Sequence, residues 1–189
     1  MLNLLLLAGA TGCGKTYVKE LLVNSNNNQS ERKNKFTNIS FHAPVQITTR
    51  PKRIYESLDD YIFLEKYEEY EKLKSNGKLI AEIDFNGYNY GTLKSNLIYG
   101  KNAINVIVVS FSGLLNTLNY YKNAPDVNIK TALILSDPTE EILKDHNERT
   151  IEGFKNELFI LLHQSYDYYI PNYRKDRITL NKLLEILNK

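Results

Sequence analysis

The chain has 189 residues, enough for one domain with a substantial core, and its 42% hydrophobic and 24% charged residues are ordinary for a soluble globular protein. A net charge of +2 is too small to indicate a nucleic-acid partner, and the single cysteine, Cys13, excludes an internal disulfide and suits a reducing interior. No stretch approaches the ~20 apolar residues of a membrane span. The apolar run 2–7 lacks a basic leader and a cleavage site and leads straight into a glycine-rich loop, so the expectation is a cytoplasmic protein that binds neither membrane nor nucleic acid.

In chain order, residues 4–8 form a continuous apolar run ended by glycine, the pattern of a buried parallel strand. A helix is predicted from about Lys15, carrying Val18, Leu21 and Leu22 at helical spacing, and the Asn-rich segment 24–35 reads as a loop. Residues 42–49 are predicted extended, 50–57 irregular and basic, and 61–64 a short strand. A helix over 66–75 stops at Asn76-Gly77, and strands 79–85 and 88–90 flank the hairpin signal Asn86-Gly87. Residues 92–99 read as a short helix closed by Gly100. Buried-strand runs then recur at 104–109 and 132–135, with helical stretches at 114–121, at 139–147 behind Pro138, at 157–166 and at 177–187. Strands alternating with helices imply an α/β sandwich, into which the hairpin-rich part from about residue 44 is inserted.

Gly9-Ala10-Thr11-Gly12-Cys13-Gly14-Lys15-Thr16 has the spacing G-x-x-x-x-G-K-[ST]. In such a loop the glycines let successive N–H groups turn toward phosphates, and the helix that follows presents its positive end. Lys15 is placed to reach the β- and γ-phosphates of a nucleoside triphosphate, and the Thr16 hydroxyl to hold Mg²⁺. A glycine turn that merely precedes Lys-Thr is the bland alternative, but the apolar strand before it and the helix after it argue for a phosphate loop that binds a nucleotide. Cys13 reads as a small residue that fits the loop. His42, His146 and His163 are scattered without metal-ligand spacing and default to packing or surface roles.

Beyond the loop, the chain carries Thr48-Thr49-Arg50-Pro51-Lys52-Arg53, Asp60-Tyr61, Asn86-Gly87-Tyr88-Asn89-Tyr90-Gly91-Thr92, and Tyr166-Asp167-Tyr168 with Asn172. In order and spacing this series resembles the guanylate kinase family over nearly the whole chain. The resemblance implies a P-loop three-layer sandwich with a parallel central sheet, a small mixed β insertion for the acceptor nucleotide, and a helical lid. On 1–189 as a single domain, this gives a core of 1–43 and 101–189, an insertion at about 44–100 and a lid at about 138–158. It implies phosphoryl transfer from ATP, with Mg²⁺, to a nucleoside monophosphate by a monomer or homodimer. Lys15 and the lid cations Lys144 and Arg149 would share the charge on the moving group, and Asn172 falls in the adenine-contacting segment. Arg50 and Arg53 would clamp the acceptor phosphate, helped by the Tyr61 and Tyr90 hydroxyls, with Thr92 near the acceptor base. A solvated basic loop is the alternative for the two arginines.

The departures from the family concern base reading and metal. Gln46 stands where a serine is usual. A base-reading glutamate is replaced by Ala81, with Glu82 beside it, so Glu82 can substitute only if the strand register slips or bulges. Two aspartates align with Val108 and Ser110, of which Ser110 keeps a hydroxyl near the acceptor and the metal. Glu157 falls where a lid arginine is expected. Phosphate contacts are thus kept while base contacts are altered. A kinase for GMP, dGMP or another nucleoside monophosphate competes with a ribose bisphosphokinase, which has no base to read, and with a non-catalytic guanylate-kinase-like binding module. The abundance of Asn, Lys and Tyr suggests an AT-rich genome, that of a bacterium or its phage.

Overall fold

The structure, a computed structural model, describes residues 1–25, 39–52, 61–85, 87–136 and 151–172. The elements in chain order are β1 (Leu2–Ala8), α1 (Lys15–Asn24), β2 (Ser40–His42), β3 (Gln46–Thr48), β4 (Ile62–Phe63), α2 (Tyr67–Ser75), β5 (Leu79–Phe85), β6 (Tyr88–Leu93), a 3-10 turn (Lys94–Asn96), β7 (Ala103–Val108), α3 (Phe111–Tyr120), β8 (Val127–Leu135), α4 (Ile151–Leu162) and β9 (Tyr168–Pro171). The helices expected at 139–147 and 177–187, and the loop beyond Ser25, lie outside the described residues.

Every residue of β1 is buried, because it is the middle strand of a sheet ordered β2-β7-β1-β8-β9. All four of its neighbour pairings are parallel, with Leu7 opposite both Val108 and Ala132. A strand covered on both faces has no solvent side, which is why its sequence is apolar without alternation. Val18 and Leu22 of α1, Leu114 of α3, and Phe154 and Leu161 of α4 join its leucines in one core. Each such side chain removed from water stabilises the fold by ~1.5–3 kcal/mol.

The chain leaves this sheet after His42 and enters a second one, ordered β4-β3-β6-β5, across Pro44. The segment expected to be extended over 42–49 is therefore two strands in two sheets, since proline supplies no N–H to continue a ladder. The second sheet is mixed: β3 and β4 run parallel, while β6 is antiparallel to β3 and β5. Ile47 and Leu79 pack there on Tyr70 of α2, a small core of its own.

Two sequence expectations change here. The helix predicted over 92–99 shrinks to one 3-10 turn, because Thr92 and Leu93 are pairing residues of β6, opposite Ile80 and Leu79. The helix predicted over 157–166 is Ile151–Leu162, and its expected tail gives way to β9, which sequence reading missed. β9 is an edge strand beside β8, held by the Asp167 carboxylate, which accepts from the Thr131 N–H at 2.8 Å and the Thr131 hydroxyl at 2.9 Å. The return from the second sheet is anchored by a fully buried amide. Asn105 donates to the carbonyls of Asn3 and Ile98, and its Oδ1 accepts from the Ile98 N–H.

Candidate active site

The phosphate loop leaves the buried end of β1 and turns into α1 at Gly14, whose φ of 88° is left-handed. A Cβ at Gly14 would also collide with the Asn172 amide nitrogen, so only glycine serves both demands. Asn172 is 5% exposed, donates from Nδ2 to the Cys13 carbonyl at 2.9 Å, and donates its N–H to the Leu135 carbonyl at 2.7 Å. It therefore ties the loop to the ends of β8 and β9.

Within the loop, Lys15 Nζ donates to the carbonyls of Gly9 at 2.6 Å and Ala10 at 3.1 Å. Gly12 and buried Cys13 complete the turn, with the Cys13 N–H donating to the Ala10 carbonyl. The Thr11 N–H donates to Glu157 Oε2 at 2.7 Å, and the Thr11 hydroxyl lies 3.4 Å from Oε1. Thr16, one residue into α1, is exposed. Ser110 follows β7, the strand beside β1, and its Oγ caps α3 by accepting from the Gly113 N–H at 3.1 Å. Its hydroxyl is therefore already engaged in holding the helix end.

Gln46 joins the second sheet to this region, donating from Nε2 to the Val108 carbonyl at 3.2 Å and the Thr92 hydroxyl at 3.4 Å. Opposite residues of a sheet share a face, so Gln46 with Thr92, Thr48 with Tyr90, Ile80 with Thr92 and Ile83 with Tyr90 define the face turned toward the first sheet. Ile83 confirms it, since its Cγ2 reaches Gly113 of α3.

Arg50 follows directly, 7% exposed, with its guanidinium 5.3 Å from the Tyr61 ring centroid and 5.4 Å from that of Phe63. Tyr61 meets Tyr90 edge-on at 6.3 Å, and Arg50 Nη1 donates to the Pro51 carbonyl. The structure thus brings Arg50, Tyr61 and Tyr90 together. Arg53, Lys144 and Arg149 lie outside the described residues. Phe63 was not singled out from sequence, although its i, i+2 relation to Tyr61 on an extended segment is the signal that puts both rings on one side.

Glu82 is not brought to this group. A bulge separates the pairs at Ile80 and Ile83, with Ala81 at a left-handed φ of 53°. The register therefore does shift by the one residue that would bring a neighbouring acid into play. Yet Glu82 lines a groove with Tyr67, Tyr70, Lys74, Asp84 and Asn116, which contains none of Gln46, Arg50, Tyr61, Tyr90 and Thr92. Burial raises the Tyr70 phenol, and the Glu82, Glu71 and Asp84 carboxylates add to that rise, while its hydroxyl donates to the Tyr90 carbonyl. Glu82 therefore lines a groove bordered by Tyr67, Tyr70 and Lys74 of α2 and by Asn116, Asn119 and Tyr120 of α3.

No model of a protein family matches the chain. A guanylate kinase of Mesomycoplasma hyopneumoniae is 30% identical over 154 residues, 80% of this chain and 72% of that protein. One from Thermotoga maritima is 29% identical over 182 residues, 90% of this chain and 79% of that protein. The crystal structure of guanylate kinase from Anaplasma phagocytophilum aligns over 98% of this chain and 84% of its own with a TM-score of 0.63 at 21% identity, a likeness of fold. With a P-loop on a parallel sheet, a mixed second sheet carrying the Arg50 cluster, and this degree of identity over most of both sequences, the chain belongs to the guanylate kinase family.

Proposed function

We propose that the chain is an ATP-dependent nucleoside monophosphate kinase whose acceptor base is read differently from that of a typical guanylate kinase. The observation that carries this reading is the pairing of a complete phosphate loop with a buried arginine held between two aromatic rings beside the second sheet. The cation–π contacts pre-orient the planar guanidinium, whose parallel N–H groups match two phosphate oxygens. Arg53 and the Tyr61 and Tyr90 hydroxyls are the natural companions of Arg50 on an acceptor monophosphate, with Thr92 and Gln46 toward the base.

On the donor side, loop N–H groups from residues 9–16 and Lys15 would hold ATP phosphates, with Lys144 and Arg149 from the lid adding charge. Asn172 supports the loop from behind through the Cys13 carbonyl. Thr16 fits Mg²⁺: it is a hard oxygen on an exposed helix start, and Mg²⁺ takes most of its other ligands from phosphate and water. Among the described residues no group of three His, Cys, Asp or Glu side chains forms a competing metal cluster. When bound, Mg²⁺ would supply positive charge that offsets the negative charge of the phosphates. The chain's own task is to align the acceptor with the donor and screen charge, and no general base is needed, because the acceptor phosphate oxygen is already anionic.

The test is a coupled ATP assay across all ribo- and deoxynucleoside monophosphates and ribose 1,5-bisphosphate. Turnover with at least one nucleotide, lost in Lys15→Ala while the circular dichroism spectrum is unchanged, supports the reading. Turnover on ribose 1,5-bisphosphate alone, or monophosphate binding without transfer, refutes it and favours a sugar kinase or a binding module respectively.

A further inference from the structure

The carboxylate of Glu157 sits on the phosphate loop, at Thr11. Its Oε2 accepts the Thr11 N–H at 2.7 Å, a charge-assisted length, and its Oε1 lies 3.4 Å from the Thr11 hydroxyl. Lys15 is likewise turned inward, onto the carbonyls of Gly9 and Ala10. The principal cation of the loop and one of its N–H groups are thus both satisfied by the protein itself.

Glu157 is not a wandering surface side chain. It is half-buried on α4, three residues after Phe154, which is 6% exposed. Phe154, Leu158 and Leu161 form the apolar stripe of α4 and pack in the main core, so the helix face that carries Glu157 is fixed against the body of the fold.

We infer that Glu157 is an internal competitor for the phosphate loop, an autoinhibitory contact that ATP must displace, and this inference rests on reading residues 9–16 as the ATP site. One N–H serves one strong acceptor, and two anions brought within a few ångströms of each other repel, so the Glu157 carboxylate and an ATP phosphate cannot share Thr11. The bound and displaced arrangements are therefore exclusive. If the Glu157-engaged form outnumbers the open form about ten to one, the apparent Kd for ATP is raised about tenfold over that of the open loop.

The experiment is calorimetric titration of the full chain with ATP and Mg²⁺, comparing the wild type with Glu157→Ala, Glu157→Gln and Lys15→Ala. Glutamine and alanine are good helix formers, so both changes at position 157 leave α4 intact. The expected result is ATP binding about tenfold tighter in Glu157→Ala, an intermediate gain in Glu157→Gln, and an acceptor KM within about twofold of wild type. In nucleotide-free protein the Thr11 amide resonance should move on Glu157→Gln in the same direction as it moves when ATP is added to wild type. Equal or weaker ATP binding in Glu157→Ala, with the wild type binding normally, overturns the inference alone. Should Glu157→Ala fail to fold, Glu157→Gln and the Thr11 resonance decide it by the same criteria. Absence of ATP binding in wild type and variants alike overturns both the inference and the reading of the site.

Discussion

Replacing Arg50 by alanine isolates the acceptor half of the proposed reaction. The guanidinium is 7% exposed and lies against two rings at 5.3 and 5.4 Å, so its orientation is set before any ligand arrives. A hydrogen bond to a charged group is worth ~1.5–3 kcal/mol. Losing one from the acceptor phosphate lowers the acceptor's kcat/KM by about tenfold to 150-fold, at 1.36 kcal/mol per decade. The KM for ATP should change less than about threefold, because Arg50 lies just beyond β3 of the second sheet and not in the phosphate loop. Arg50→Lys keeps a charge but loses the bidentate fork, so its defect should fall between wild type and alanine. Losing the cation–π contacts with Tyr61 and Phe63 costs ~0.5–2 kcal/mol of stability, which lowers the melting temperature by a few degrees. The assay is initial-rate kinetics with each substrate varied in turn, well below that melting temperature. Equal rises in both KM values, or a defect confined to ATP, would falsify the acceptor-clamp assignment.

Two further outcomes are expected. Selectivity for guanine should be weak, since each missing hydrogen bond to a buried base removes ~1–3 kcal/mol and two can cost a hundredfold. Gln46→Ala should change the order of kcat/KM among GMP, dGMP, AMP, dTMP and dCMP, whereas Glu82→Gln should leave it alone; a strong guanine preference abolished by Glu82→Gln would contradict this. For Asp167, burial pushes the carboxyl up, but the Thr131 N–H, the Lys130 ammonium and the Thr131 hydroxyl together outweigh it and hold the group below its ordinary value of 3.8. A depressed folded value adds stability above the unfolded value and loses it as pH falls through the folded one, so the wild type should melt above Asp167→Asn at neutral pH, and the gap should close on acidification below about pH 4. A gap that is constant down to pH 2 would show that the charge on Asp167 is not what matters.

Those features of the chain that depend on neighbours in sequence were legible without a structure. An apolar run ending in Gly9, glycines at set intervals and a helix starting at Lys15 are consecutive in the chain, so their spacing alone specifies strand, phosphate loop and helix. Asn86-Gly87 between two β-rich runs announced the hairpin of β5 and β6 for the same reason. Register and distant pairing needed the folded molecule. Whether Glu82 or Ala81 faces a given side depends on a bulge, and one residue of slip reverses every side chain beyond it. β9 looks like a tyrosine-rich continuation of a helix until β8 offers it an edge to pair with and Asp167 finds Thr131, 36 residues away. Glu157 meets Thr11 across 146 residues of chain. No pattern in either segment encodes that contact, because it is made only once α4 has buried Phe154 and Leu161 in the core that β1 began.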